Sequence, residues 1–225
     1  MRYYEVLNNH FSIRIEHTRA KKLQAGLNLW KFPDVVLLDW GVGSPTEDGY
    51  ALDPNLLKVK TSLGEPPFTL NCVELKDSLS LDSFRQDFFQ CLSNSRWAHR
   101  STFAIAQGVD DELLLKELER LGTSYEVSII TFGLSPDSLS ALPNAAVIRD
   151  MPDDKFEGEI VPKLSIKQIT TGRDRTALDW ETIKDLQSQS PDFPEMFEWI
   201  AYCLDEKKAY TFDDFKKIKN IKRKA

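Results

Sequence analysis

The stretch Leu70–Lys76, with the sequence LNCVELK, restricts the fold of this 225-residue chain more than any other. We interpret it as a buried strand. Side chains of a strand alternate between the two faces of its sheet, so Cys72, Glu74 and Lys76 share one face. Glu74 and Lys76 then lie roughly 6–7 Å apart along the strand, which is two residue rises. The sequence therefore predicts a carboxylate and an ammonium side by side at the end of a strand.

A carboxylate beside an ammonium can hold a divalent metal and a polarised water, as metal-assisted hydrolysis of a phosphodiester requires. Four other acidic-x-Lys triplets occur in the chain, but none follows an apolar, strand-like run. The Glu74 triplet also has distinctive neighbours. Upstream, Pro33-Asp34 opens a second buried-strand pattern, and downstream a long amphipathic helix follows. The combination of Pro-Asp, spacer, Glu-x-Lys and helix makes this region the candidate site.

Asp34 and Glu74 are the predicted metal ligands, one from each of two adjacent strand ends. The carbonyl of Leu75 would add another oxygen, which suits Mg²⁺ with Mn²⁺ as a substitute. Lys76 would orient or deprotonate the attacking water and offset charge in the transition state. Plainer alternatives exist: Asp34 can be a turn residue at a strand start, and Glu74 with Lys76 an exposed ion pair of little energetic value.

Further side chains could complete this site. Glu16 or Glu5 could supply a carboxylate for a second metal or for water positioning, although an ordinary surface acid is the simpler interpretation of each. Gln90 lies on the polar stripe Gln86, Gln90, Asn94 of the helix that follows Lys76. Gln90 could hold the other site residues in position or contact a phosphate, or it could be an ordinary polar residue on the helix surface.

The order of these motifs resembles the layout of the PD-(D/E)XK nucleases. A longer likeness, over roughly residues 10–200, is to the HrgA-like proteins, bacterial proteins associated with restriction loci. Those usually join a winged helix to a PD-(D/E)XK endonuclease-like domain. The matching segments are Arg14-Ile15-Glu16 with Gly26-x-Asn28-x-Trp30-x-x-Pro33-Asp34, the run FRQDFFQCLSNSRWA at 84–98, and Asp179-Trp180-Glu181-Thr182-Ile183.

The resemblance implies a Mg²⁺-dependent DNA endonuclease, acting in restriction, defence or mobile-element processing, with Asp34, Glu74 and Lys76 as its catalytic trio. The winged helix is missing here, so a partner protein is expected to supply sequence recognition. The insertion at 41–67 has no match in the family. Two alternatives remain open: a non-catalytic nucleic-acid-binding or assembly subunit that keeps the nuclease fold, and a protein–protein module.

The order of apolar patterns predicts an α/β fold, a restriction-endonuclease-like mixed central β-sheet flanked by helices, with a helical C-terminal extension. Residues 1–134 are the predicted nuclease core, and 135–225 are an irregular segment followed by helices. The predicted strands cover 11–16, 32–40, 70–76, 101–106 and 125–132, with a further short strand at 56–59. The predicted helices cover 2–9, 110–121 (ended by Gly122), 193–204 and 212–221, with others after Asp82 and after Asp179.

The net charge is −6, but its distribution is uneven. Residues 1–31 carry +4, residues 216–225 carry +6 and the stretch between them −16. Basic ends could approach DNA phosphates while the acidic middle holds a metal, although terminal lysines are often a solvated tail. Cutting two strands with one site per chain favours a homodimer. No apolar run approaches the ~20 residues that span a bilayer, so we expect no membrane partner and a cytoplasmic location.

Overall fold

A six-stranded sheet with both parallel and antiparallel neighbours lies at the centre of the molecule. The structure, a computed structural model, describes residues 1–21, 30–47 and 49–222. Helices flank the sheet, which confirms the predicted mixed α/β class. In spatial order its strands are β1 (Phe11–Arg14), β2 (Val35–Asp39), β5 (Thr69–Lys76), β6 (Arg100–Gln107), β7 (Ser128–Leu134) and β8 (Lys167–Thr170). A smaller sheet contains β3 (Gly43–Thr46), β4 (Gly49–Leu52) and β9 (Lys208–Ala209).

The register of the central sheet positions the candidate site. β2 is antiparallel to both β1 and β5, whereas β5, β6 and β7 run parallel, and β8 is antiparallel to β7. Val35 at the start of β2 lies opposite Val73 of β5. Continuing that register by one residue brings Asp34 beside Glu74.

Ten α-helices are present in the described residues, and several have clear sequence causes. Asp111 and Asp179 act as N-caps, because each side chain accepts hydrogen bonds from two backbone N–H groups of the following turn. The helix predicted after Asp179 is thus confirmed. The helices are α1 (Arg2–Asn8), α2 (Pro54–Ser62), α3 (Phe84–Ser95), α4 (Glu112–Tyr125), α5 (Pro136–Ser140), α6 (Ala145–Arg149), α7 (Asp153–Glu159), α8 (Trp180–Gln189), α9 (Asp192–Glu206) and α10 (Phe212–Lys222).

The C-terminal helices share a hydrophobic core with the central sheet. Val36 and Cys72 on one sheet face belong to the same buried cluster as Ile183 of α8 and Trp199 of α9. Another cluster joins α3 and α4 to β6 and β7, and a third lies on the opposite face, where α1 covers β2 and β5. Strand β8, which also follows residue 134, completes one edge of the sheet. The two predicted units therefore pack as neighbours around common strands.

Two local predictions were wrong. Residues 56–59 lie in helix α2, not in a strand, because Asp53 caps the helix and Pro54 occupies its first turn. Helix α4 continues through Gly122 and ends at Tyr125, where Glu126 takes a left-handed conformation with φ of 58°. Gly122 is required for close packing, since a Cβ there would lie 2.3 Å from Oγ1 of Thr170 on β8.

The remaining segments refine the expectations. The stretch 135–175 contains three short helices, a 3₁₀ turn at Val161–Lys163 and the single strand β8. Residues 22–29, which include Gly26 and Asn28 of the matching motif, lie outside the described residues. Among the helices of the described chain, none has the length and apolarity needed to cross a bilayer. All three cysteines are buried and unpaired.

Candidate functional site

Asp34 and Leu75 connect the ends of two neighbouring strands. Oδ2 of Asp34 accepts a hydrogen bond from the backbone N–H of Leu75 at 2.9 Å. In an extended strand the N–H and C=O of one residue point to the same side, so the Leu75 carbonyl is also directed toward the β2 side. The Asp34 side chain is 35% exposed, which leaves this side of the site open to solvent.

Glu74 lies opposite Asp34 in the continued register of β2 and β5, and it is only 1% exposed. Two amides of helix α3 hold its carboxylate: Nε2 of Gln90 donates to Oε1 at 2.6 Å, and Nδ2 of Asn94 donates to Oε2 at 2.8 Å. Gln90 and Asn94 are four residues apart, so they lie on the same helix face. Each Glu74 oxygen thus has one fixed amide donor, which sets the orientation of the carboxylate.

Lys76 folds back toward Glu74 and is surrounded by acceptors. Its Nζ lies 3.2 Å from Oε1 of Glu74, 3.2 Å from Oδ1 of Asp87 and 3.1 Å from Oε1 of Gln90. A lysine ammonium has three N–H donors, so these three acceptors can use all of them. The plain alternative of an exposed Glu74–Lys76 pair does not fit, because the carboxylate is buried.

The pKa values of these groups follow their surroundings. Burial is the largest effect on Glu74, and with the nearby charge of Asp34 it raises the pKa of Glu74 to about 7, against hydrogen bonds from Asn94 and Lys76. For Lys76, burial lowers the pKa, but ion pairing with Glu74 and Asp87 outweighs burial and leaves the pKa above its ordinary value. Lys76 is therefore charged at neutral pH.

The structure brings Asp34, Glu74, Leu75, Lys76 and Gln90 together, but it places Glu16 elsewhere. The Glu16 side chain is exposed and lines a hollow with Arg19 and Lys219, while its backbone N–H donates to Asp192 at 2.7 Å. Glu16 lies two residues beyond the end of β1 at Arg14, and in the described chain it takes no part in the contacts among Asp34, Glu74 and Lys76. This placement does not support Glu16 as a further carboxylate of the site.

Glu5 also lies apart from the site. It accepts a hydrogen bond from the hydroxyl of Ser12, whose side chain is on the opposite face of the sheet from Asp34. The surface-acid interpretation of Glu5 therefore agrees with its position.

Three contacts of the site were not predicted as functional: Asn94, Asp87 and His17. Asn94 belongs to the polar stripe seen in the sequence, and its spacing from Gln90 was the available signal. Asp87 precedes Gln90 by three residues, which places both on one helix face. His17 Nε2 lies 3.8 Å from Oδ1 of Asp34, but no local pattern marks it, because this contact depends on the pairing of β1 with β2.

The donor atoms fit a magnesium ion. Mg²⁺ typically uses one or two carboxylates and keeps several waters. Oδ1 of Asp34 has no hydrogen bond from within the described chain, and Oε2 of Glu74 has only the Asn94 donor. The described residues contain no group of three or more His, Cys, Asp and Glu side chains able to hold a metal. The predicted oxygen donors at this position are the two carboxylates and the Leu75 carbonyl.

Asn94 adds a separate observation. The residue is 1% exposed, and its Oδ1 is buried without a hydrogen-bond partner. A buried acceptor without a partner generally marks a place where water or an ion is bound. This orphaned oxygen belongs to the same side chain that holds Glu74, so it is consistent with a hydrated site.

Comparison of the chain with protein-family models, curated proteins and solved structures finds no match.

Proposed function

We propose that this chain is a metal-dependent nuclease with a restriction-endonuclease-like fold that hydrolyses phosphodiester bonds in DNA. The observation that carries the proposal is the convergence of Asp34, Glu74 and Lys76 on one sheet face, with the Asp34 carboxylate bonded to the Leu75 amide. Burial, and after it the charge of Asp34, raises the pKa of Glu74, and neighbouring carboxylates with perturbed pKa values are typical of functional sites.

Asp34, Glu74 and the carbonyl of Leu75 would hold Mg²⁺, with Mn²⁺ as a substitute. When bound, the ion would polarise a phosphate oxygen and lower the pKa of a coordinated water. The buried Glu74 carboxylate would be held in one orientation by Gln90 and Asn94, so little reorganisation is needed when a cation binds.

Lys76 would act as a cation and not as a base. Its amine is charged because Glu74 and Asp87 stabilise the ammonium, so it has no free lone pair with which to take a proton from water. An ammonium near the scissile phosphate would offset the negative charge that develops in the transition state. Gln90 donates to Glu74 and accepts from Lys76, and thereby fixes their relative position.

The test is cleavage of supercoiled plasmid DNA in Mg²⁺, Mn²⁺ or EDTA by the wild type and by Asp34→Ala and Lys76→Ala. Metal-dependent cleavage that both substitutions abolish supports the proposal. Lys155→Ala is the matched control, because Lys155 belongs to another acidic-x-Lys triplet and is 53% exposed. Cleavage that survives in either site variant would reject this site.

A second candidate is a non-catalytic nucleic-acid-binding or assembly subunit. It is favoured by one feature: Oε1 of Glu74 already receives hydrogen bonds from Gln90 and Lys76, which use both of its lone pairs. DNA retention without cleavage in any metal would support this candidate.

For the nuclease, cleavage of both strands would call for a homodimer, and sequence recognition would come from a protein partner.

A further inference from the structure

The ammonium of Lys76 occupies a position that a metal ion would compete for. Oε1 of Glu74 accepts from Nε2 of Gln90 at 2.6 Å and lies 3.2 Å from Nζ of Lys76. A carboxylate oxygen has two lone pairs, so a cation that coordinates Oε1 in addition to Oε2, where Asn94 is the single donor, requires one of the two Oε1 donors to leave.

Of the two donors, Lys76 is the one able to leave. Gln90 is 8% exposed and is tied to both neighbours, so its movement would break its bonds to Glu74 and Lys76 together. Lys76 can leave Glu74 and still keep two acceptors, Asp87 and Gln90. The side chain of Lys76 is also 22% exposed, whereas that of Glu74 is 1% exposed, so the ammonium has room to move.

From this arrangement we infer that Asp87 is a positioning residue for Lys76: it holds the ammonium when a divalent cation displaces that ammonium from Glu74. The inference rests on the proposed function, since it assigns Asp87 to the same metal site. Asp87 is well placed for this, because its Oδ1 lies 3.2 Å from Nζ and its side chain is 21% exposed. Without Asp87, Lys76 would have only Glu74 as an anionic partner and would compete more strongly with the metal.

Mn²⁺ binding to the full chain, measured by titration calorimetry without DNA, tests this inference apart from activity. We expect Lys76→Met to tighten Mn²⁺ binding about tenfold, because a like charge at close range is removed. Asp87→Asn should weaken binding about tenfold in the wild-type background, because Lys76 would then keep Glu74 as its one acidic partner and compete with the metal for it. In the Lys76→Met background the same Asp87→Asn change should alter binding less than about twofold, since its effect acts through Lys76.

The double-mutant cycle separates this role from simple loss of negative charge. Asp82→Asn is the matched control, because Asp82 is exposed just before the same helix. Thermal unfolding of each variant confirms that it is folded. An equal effect of Asp87→Asn in both backgrounds, or no tightening by Lys76→Met, would overturn the role of Asp87 and leave the proposed function standing. A wild type that binds no Mn²⁺ would overturn both.

Discussion

The carboxylate of Asp34 accepts a hydrogen bond from the backbone N–H of Leu75 at 2.9 Å, although the two residues belong to different strands. This bond links the start of β2 to the end of β5, immediately beside Glu74. It holds one carboxylate close to another that is buried, and the pKa of Glu74 is raised first by burial and then by the charge of Asp34. Lys76 pairs with Glu74, but the charge of Asp34 still disfavours the ionised form of Glu74, and a group perturbed in this way suggests a functional reason for the arrangement.

Asp34→Asn should separate function from stability. The amide oxygen of Asn can still accept from Leu75, and the repulsion with Glu74 is removed. We therefore expect the free energy of unfolding in EDTA to equal or exceed that of the wild type, while plasmid cleavage falls about 100-fold or more. Urea unfolding in EDTA measures the free energy of unfolding, and a plasmid assay measures cleavage. Asp34→Ala is the control, since it also loses the hydrogen bond and should be less stable by about 1 kcal/mol; an Asn variant no more stable than the Ala variant would contradict this explanation.

Asn94→Ala should destabilise the protein by about 1.5–3 kcal/mol, because a buried hydrogen bond to a charged group is lost. Gln86 offers a matched control on the same stripe of helix α3, because its side chain is exposed. Gln86→Ala should stay within about 0.5 kcal/mol of the wild type. Denaturant midpoints in EDTA measure both changes. Equal effects of the two substitutions would show that Asn94 does not hold Glu74.

His99 should make stability depend on pH. Its Nδ1 accepts the N–H of Leu70 at 3.0 Å, and burial lowers the pKa of His99 in the folded protein despite the opposing charge of Asp174. Below about pH 6.5 the unfolded chain binds a proton that the folded chain does not. The contribution of neutral His99 is therefore complete above pH 6.5 and is lost as the pH falls toward its folded pKa.

Urea unfolding of the wild type and of His99→Gln between pH 8 and pH 5 measures this effect. The difference in unfolding free energy between the two proteins should shrink on acidification. A difference that stays constant, or grows, would show that His99 does not titrate in this way.

The fragment 1–134 should not unfold cooperatively on its own. It lacks β8 and the helices whose side chains cover Phe32 and Trp97, both of which are at most 1% exposed in the whole chain. Consistent with this, Trp199→Ala in the full chain should cost about 3–5 kcal/mol. Circular dichroism during heating tests the fragment. A sharp, reversible transition for residues 1–134 would establish them as an independent domain.

Helix α2 of the 41–67 insertion should tolerate change on its exposed face. Leu56 is 50% exposed, whereas its neighbour Leu57 packs against the main core. Leu56→Ala should stay within about 0.5 kcal/mol of the wild type, and Leu57→Ala should cost more. Denaturant unfolding of this adjacent pair compares the two faces of one helix turn. A larger loss of stability for Leu56→Ala than for Leu57→Ala would show that the face of α2 that carries Leu56 is the buried one.

Much of the candidate site could be read from local pattern. The alternation around Glu74 places Lys76 on the same face, and the Pro-Asp pair marks a strand start. The polar stripe on α3 identified Gln90 and also contained Asn94. Asp87 and His17 were missed, because their contacts depend on how far Lys76 folds back and on where β1 meets β2.

The sequence by itself determined the kind of the strands and helix that carry the candidate site, since caps, apolar spacing and strand alternation act between residues close in the chain. Only the tertiary structure decided which distant side chains meet. The register of β2 against β5 brings Asp34 to Glu74, the chain beyond the end of β1 places Glu16 in a different pocket with Arg19, and a common core joins α8 and α9 to the sheet. Those outcomes follow from burial of apolar surface and cross-strand hydrogen bonding among segments far apart in sequence, which no local pattern encodes.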